Sequence, residues 1–263
     1  MRVPSASSIP TRAWHMKHQL DQQAAGQTVN LIAHSMGGLD GRYMITHLNP
    51  TRFNVQSLTT IATPHRGSPF MDWCRDSLGV GQKTDENDLD GLLTKNGASP
   101  HPHQTANNQL KEYINSQLQF NSRDQDGNES GPHPFIRRIF THLDAPAFRN
   151  LTTDYMQNTF NKLTPDVPGV FYSSYAAVSE VPVYAALHFS HQIVKRKEGP
   201  NDGLVSLKSA VWGNFMGTLN GDHWDLVPRK LRRAVQFVPI ASKDFDSIEF
   251  YLGAVTRLHD QGF

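Results

Sequence analysis

The chain has 263 residues, 38% of them hydrophobic and 19% charged, which suits one large domain or two small ones with room for a core. A formal net charge of +1 argues against a dedicated nucleic-acid binder, which would show a strong basic excess. A single cysteine, Cys74, excludes an internal disulfide framework, and no stretch approaches the roughly 20 apolar residues of a membrane span.

The first twenty residues, "MRVPSASSIPTRAWHMKHQL", carry Arg and Ser and no acid, a superficial likeness to a transit peptide. We read an ordinary helix over Thr11 to Ala25, with Ala13, Trp14, Leu20 and Ala24 as its apolar positions and Gly26 as its stop. Val29 to Ala33 is a continuous apolar run, of the kind buried on both faces of a parallel sheet. Met36 to Leu48 reads as helix, ended by Asn49 and Pro50. Val55 to Ala62 is a second strand, rich in β-branched residues, that runs into "TPHRGSP". Helix, strand, helix, strand is the alternation of an α/β protein with a mostly parallel sheet.

From Gly79 to Pro134 the chain is rich in Asn, Gln, Asp, Gly, His and Pro, with one short helical stretch at Leu110 to Leu118. "FIRRIFTHL" and "LTTDYMQNTFNKL" read as two further helices. Strand character returns only at Gly169 to Val178. An insertion of about a hundred residues between strands usually lies over the active-site face. It accounts for a mean hydropathy of −0.50. We therefore expect one domain, 1–263, with a core of 1–78 and 166–263 and a lid or cap at about 79–165. "GPNDGLVS" is a turn cluster, Asn214 to Leu219 the last strand, and Lys230 to Val235 and Asp244 to Leu258 closing helices.

The candidate chemistry centres on "VNLIAHSMGGLD". A serine hydroxyl is a poor nucleophile that needs a base, an orienting acid and an oxyanion site. Ala33-x-Ser35-x-Gly37 matches the nucleophile elbow, a strained strand-to-helix turn with small neighbours, with Ala in place of the usual first Gly. An ordinary strand–turn–helix with a capping serine fits the same five residues; the α/β context favours the elbow. The Met36 N–H, at the start of the next helix, would be one oxyanion donor, aided by the helix dipole. The expected order is serine, acid, histidine. Asp202 in "PNDGLVS" and His223 in "NGDHWD" both follow strand regions and complete the set.

Together "VNLIAHSMGGLDGRYM", "LTTIATPHRGSPFMDW", "NDGLVS" and "DHWDL" resemble the triacylglycerol lipases of the α/β-hydrolase superfamily, in particular the fungal, mitochondrial-type branch related to bacterial secreted lipases. The resemblance covers most of the chain outside the polar insertion. It implies an α/β-hydrolase fold, Ser35, Asp202 and His223 as a triad, and a lipid-type ester substrate met at a lipid–water interface. It also implies an intracellular location, in the mitochondrion by likeness. Under it His65 and Arg66 take a structural role or line the pocket edge. "FIRRIF" and "YMQNTF" are either amphipathic lid helices or plain packed helices. Bacterial relatives hold a calcium near the histidine, and Asp225 stands where one ligand would; no partner ligand is identifiable, so no metal or cofactor is expected. His101 and His103 read as loop. The run Arg229-Lys230-Leu231-Arg232-Arg233 reads as a solvated helix face, with contact to anionic headgroups as the other reading.

Only 28 residues precede Val29, whereas each strand–helix unit takes about thirty residues. No early "HG" loop precedes Ser35 to supply a second oxyanion N–H. The pattern reads as cut at its N-terminus, a truncated gene product or isoform of a longer lipase with Met1 an internal methionine. An unpaired sheet edge and a half-built oxyanion hole are the expected consequences. A phospholipase, a short-chain esterase, an acyltransferase and a non-catalytic hydrolase fragment stand as alternative readings.

Overall fold

Four strands line up in the order β1-β2-β3-β4, every neighbouring pair parallel: β1 (Thr28–His34), β2 (Asn54–Ile61), β3 (Phe171–Val178) and β4 (Asn214–Asn220). The computed structural model describes residues 1–78, 146–228 and 245–263. The helix at Leu110 to Leu118, "FIRRIF", His101 and His103, the basic run at 229–233 and the Lys230 to Val235 helix lie outside the described residues.

Helix α1 (Ile9–Gln23) starts where the Ser8 side chain accepts the Thr11 N–H and where Pro10 pre-sets the first turn. It packs with α2 (Met36–His47) on one face of the sheet. Ala13, Met16, Leu20 and Ala24 meet Leu31, Val55, Leu58 and Tyr172 there. Trp14 does not join them: it is 54% exposed and stacks on His18, one turn further along the helix. On the opposite face α8 (Ser247–Asp260) brings Phe250 and Tyr251 against Ile61, Tyr175 and Leu226. The result is helix, sheet, helix.

The Val29 to Ala33 run is not buried on both faces. β1 pairs with β2 alone among the described residues, and only Leu31 of its seven residues is fully buried. An edge strand covers less of each flank than a central one, so Val29, Ile32 and Ala33 remain half-buried.

Between β2 and β3 the described residues hold α3 (Pro69–Leu78), α4 (Pro146–Asn150) and α5, a π-wound stretch Tyr155–Phe160 that continues into Asn161–Leu163. Tyr155, Met156 and Phe160 are buried against Ile9, Met36 and Leu39, so "YMQNTF" is packed into the core beside the start of α2. Elements without a counterpart in the sequence reading include α4, α6 (His188–Glu198) and the single turn α7 (Leu207–Ala210). No described helix is long and apolar enough to cross a membrane. Cys74 is buried, which pushes its thiol up to about 12 and keeps it protonated and inert.

Two buried arginines fix α2. Arg12 Nε and Nη2 grip both Asp40 oxygens at 2.7 to 3.0 Å, with the Asp40 side chain fully buried, and Arg12 Nη1 donates to the Pro4 carbonyl. Arg42 donates to the Asn161 side chain and the Thr164 carbonyl, both at 2.9 Å, and lies 3.7 Å over the Trp212 ring. Burial brings Arg42 down to about 10, still cationic. Breaking a buried pair by removing one partner leaves the other charge uncompensated and costs about 3–5 kcal/mol. Arg12→Met should therefore lower the urea midpoint sharply, and the double variant Arg12→Met/Asp40→Leu should recover much of that loss.

Candidate active site

Because all four strands are parallel, their C-terminal ends lie along one edge, and the candidate residues follow three of those ends. Ser35 follows β1, Asp202 comes after β3, and His223 sits three residues beyond β4. Local bonds fasten the last two to that edge. The Ser179 N–H donates to the Asn201 carbonyl at 3.0 Å, Gly221 N–H to Val178 at 3.2 Å, and His223 N–H to the Asp202 carbonyl at 2.8 Å.

Ser35 has φ 56° and ψ −136°, in a region that residues other than glycine rarely enter. Such a turn aims the side chain out of the strand while α2 starts at the next residue. The helix must then pass close to the sheet. A Cβ on Gly38 would overlap Thr63 Oγ1 and lie 2.8 Å from Thr60 Cγ2, so only glycine fits there.

The three side chains form a chain of hydrogen bonds. His223 Nε2 is 2.9 Å from Ser35 Oγ, and His223 Nδ1 is 2.6 Å from Asp202 Oδ2. A carboxylate oxygen only accepts, so Nδ1 carries the proton and Nε2 is left to accept from the serine hydroxyl. The other Asp202 oxygen accepts the Leu204 and Val205 N–H groups at 3.0 and 2.7 Å, which fixes the plane of the carboxylate. Asp202 is fully buried and His223 is 4% exposed. Burial alone would lower the His223 pKa. The charge and hydrogen bond of Asp202, with Asp222 adding to them, outweigh it, so the pKa is raised above 6.5.

The Met36 N–H belongs to the first turn of α2, whose N–H groups have no acceptor within the helix. It lies at the end of the helix where the dipole favours negative charge.

His65 and Arg66 stay out of this arrangement. His65 is fully buried, bonded to Thr60 Oγ1 at 2.9 Å and stacked on Trp212. Burial, with Arg42 and Arg66 nearby, keeps it neutral. Arg66 donates to the Lys208 and Val211 carbonyls. Asp225 accepts the Asp222 N–H at 3.1 Å, while Asp222 Oδ1 accepts the Trp224 and Asp225 N–H groups. Among the described residues no cluster of three or more His, Cys, Asp or Glu side chains could hold a metal ion.

One neighbour escaped the sequence reading. The His34 ring lies 4.6 Å from that of His223, tilted by 44°, and its Nε2 is shielded with no partner among the described residues. Burial first, and then the charge on His223, pushes its pKa well down. It therefore packs as a neutral ring beside the imidazole. Its place directly before Ser35 was the available signal.

The family of PGAP1-like alpha/beta domains matches residues 15–87. Triacylglycerol lipase 2 of Saccharomyces cerevisiae is 30% identical over 277 aligned positions, which take in 100% of this chain and 68% of the yeast protein. A triacylglycerol lipase of Pseudarthrobacter phenanthrenivorans is also 30% identical, over 77% of this chain and 66% of its own length. The chain thus spans about two thirds of the relatives that it matches. Among solved structures the mature Bacillus licheniformis lipase BlEst2 superposes with a TM-score of 0.53 at 20% identity, over 85% of this chain and 71% of that one. That likeness carries the α/β-hydrolase fold, and the yeast relative carries the family. The chain belongs to the triacylglycerol lipase family, ester hydrolases built on the α/β-hydrolase fold.

Proposed function

We propose that the chain hydrolyses carboxylic esters of acylglycerols, with Ser35 as nucleophile, His223 as general base and acid, and Asp202 as the group that orients it. The observation that carries this is the continuous relay from Asp202 through His223 to Ser35, at 2.6 and 2.9 Å, on a serine in elbow conformation. The substrate class follows from the relatives, which are named triacylglycerol lipases.

Under this reading Ser35 Oγ attacks the ester carbonyl carbon while His223 Nε2 takes its proton. Asp202 stabilises the resulting imidazolium. The carbonyl oxygen becomes an oxyanion facing the Met36 N–H and the positive end of α2. Collapse breaks the bond to the alcohol oxygen, which leaves with the proton from His223. The acyl group stays on Ser35. A water then attacks it, His223 again takes the proton, and the fatty acid departs as Ser35 is regenerated. Strands on both sides of the long β2–β3 connection act as one unit, 1–263, in this reaction. The mitochondrial location rests on the family resemblance alone and is read by fractionating cells that express the tagged chain.

Ser35→Ala should lower hydrolysis of p-nitrophenyl esters by about 10⁶-fold, the order seen when a triad serine is removed. The same change should abolish covalent labelling by a fluorophosphonate. An inert, folded wild-type chain on esters of every length would sink the proposal.

The pH profile gives a second check. Only neutral His223 can accept the serine proton, so kcat/KM rises as pH climbs through its pKa. Because that pKa is raised above 6.5, the half-maximal point should lie above pH 6.5. Asp202→Asn removes the charge that raises it. The rate should fall by about 10⁴-fold and the acid limb should move to lower pH.

A further inference from the structure

The "TPHRGSP" loop sits beside the elbow, and the mechanism above gives it no task. Its first residue, Thr63, is fully buried, and its hydroxyl donates to the Ser35 carbonyl at 2.7 Å across 28 residues of sequence. The same turn takes the other backbone group of the serine: the Ser35 N–H donates to the Ile61 carbonyl at 2.9 Å. Both polar backbone groups of the strained residue therefore end on one short segment. That segment carries its own left-handed residue, Ala62, at φ 48°.

The Ser35 carbonyl and the Met36 N–H are the two ends of one planar peptide unit. Whatever fixes the direction of the carbonyl fixes the direction of the N–H. A hydrogen bond accepted by the carbonyl also polarises the amide and strengthens the N–H as a donor. We propose that Thr63 is a positioning residue that orients and polarises the Ser35–Met36 peptide, so that the Met36 N–H is aimed at the oxyanion formed during ester cleavage. This rests on the catalytic reading of Ser35 given above.

Neighbouring features fit that task. The side-chain space that Gly38 leaves empty is filled by Thr63 Oγ1 and Cγ2, so the helix approaches closely enough for the hydroxyl to reach the carbonyl. The loop beyond Thr63 is anchored away from the serine. Ser68 Oγ donates to the Leu204 carbonyl at 2.6 Å and Ser209 Oγ to the Gly67 carbonyl at 2.6 Å. Thr63 is thus held from a segment that also contacts the turn of Asp202.

The test uses the full chain with Thr63→Val, which keeps the shape and removes the hydroxyl, and Thr63→Ser, which restores it. The Gly38 N–H still bonds the Ser35 carbonyl at 3.0 Å, so the start of α2 keeps one of its ties in both. Reaction with a fluorophosphonate, carried to completion, counts competent serines in each preparation. Per labelled serine, Thr63→Val should lower kcat roughly tenfold with KM nearly unchanged, short of the 10²–10³-fold lost when a donor is removed outright. Phenylboronic acid, which accepts Ser35 Oγ at boron and presents a tetrahedral oxygen to the same N–H, should lose affinity by a similar factor. Thr63→Ser should return both values close to wild type. A valine variant with wild-type kcat and boronate affinity per labelled serine, or a serine variant no better than valine, overturns the proposal. Should the valine variant not fold, Thr63→Cys, with its weak S–H donor, must show the same selective loss of kcat or the proposal falls. Wild type inert on all esters would instead defeat the catalytic reading of Ser35, a result separate from any difference among the Thr63 variants.

Discussion

The left-handed backbone of Ser35 is the constraint around which the rest of the molecule is arranged. A residue held at φ 56° and ψ −136° costs on the order of 1–3 kcal/mol, and it persists only where its surroundings leave no alternative. Here β1 is locked in register with β2 as far as the pair His34 and Ile61, so the chain arrives at Ser35 with no freedom of direction. On the far side, α2 is pinned by the Arg12–Asp40 pair and by Arg42 held over Trp212. The turn is overdetermined from both ends. The buried Arg12–Asp40 pair is therefore better understood as fixing one arrangement than as adding much net stability, because desolvation consumes most of the attraction between buried charges.

A parallel sheet then solves the problem of bringing distant residues together. Ser35 and His223 are separated by 188 positions, yet each needs only to follow the end of its own strand to reach the shared edge. The Asp202 turn shows how little else is needed. Its backbone carbonyl accepts the His223 N–H and its side chain accepts both the imidazole and the next two free N–H groups. The Asp202 carboxylate is thereby held by its own turn and tied to the imidazole of His223. His34 completes the surroundings as a neutral ring, and a charged neighbour at 4.6 Å would oppose protonation of His223.

Much of this was legible from sequence, and the reason is local. An elbow is a strand, a serine and a helix in succession, and the Asp202 and His223 turns carry their own Gly, Asn and Asp signals. The strands were found to within two residues because β-branched and aromatic runs mark them. What escaped depends on partners far away. Nothing near Arg42 announces Trp212, and nothing near Arg12 announces Asp40. Helix α6 was missed because its sequence, "HFSHQIVKRKE", buries only Ser190, His191 and Val194, too few apolar positions to show a period. Trp14 is one of the apolar positions of α1 in the sequence, but its place on the helix faces solvent. The apolar run of β1 suggested burial on both faces, and among the described residues the strand stands at an edge.

The low mean hydropathy has a second source besides the polar insertion. The two central strands are rich in hydroxyls: Ser57, Thr59, Thr60, Ser173 and Ser174 are all buried. Each finds a partner. Thr59 and Ser173 bond each other at 2.9 Å across β2 and β3, Ser57 reaches Asn30, and Ser174 donates to the Trp212 carbonyl. Thr60 accepts from His65, assigned by the rest of that network, and donates to the Ser173 carbonyl. The short Thr60 side chain leaves the sheet surface low enough for a helix carrying Gly38 to come within contact of Thr60 and Thr63. A larger aliphatic residue at Thr60 would push α2 outward, away from the hydroxyl that reaches the Ser35 carbonyl. The polar centre of the sheet is thus the counterpart of the elbow, since directional bonds there replace bulk packing where a helix must lie close.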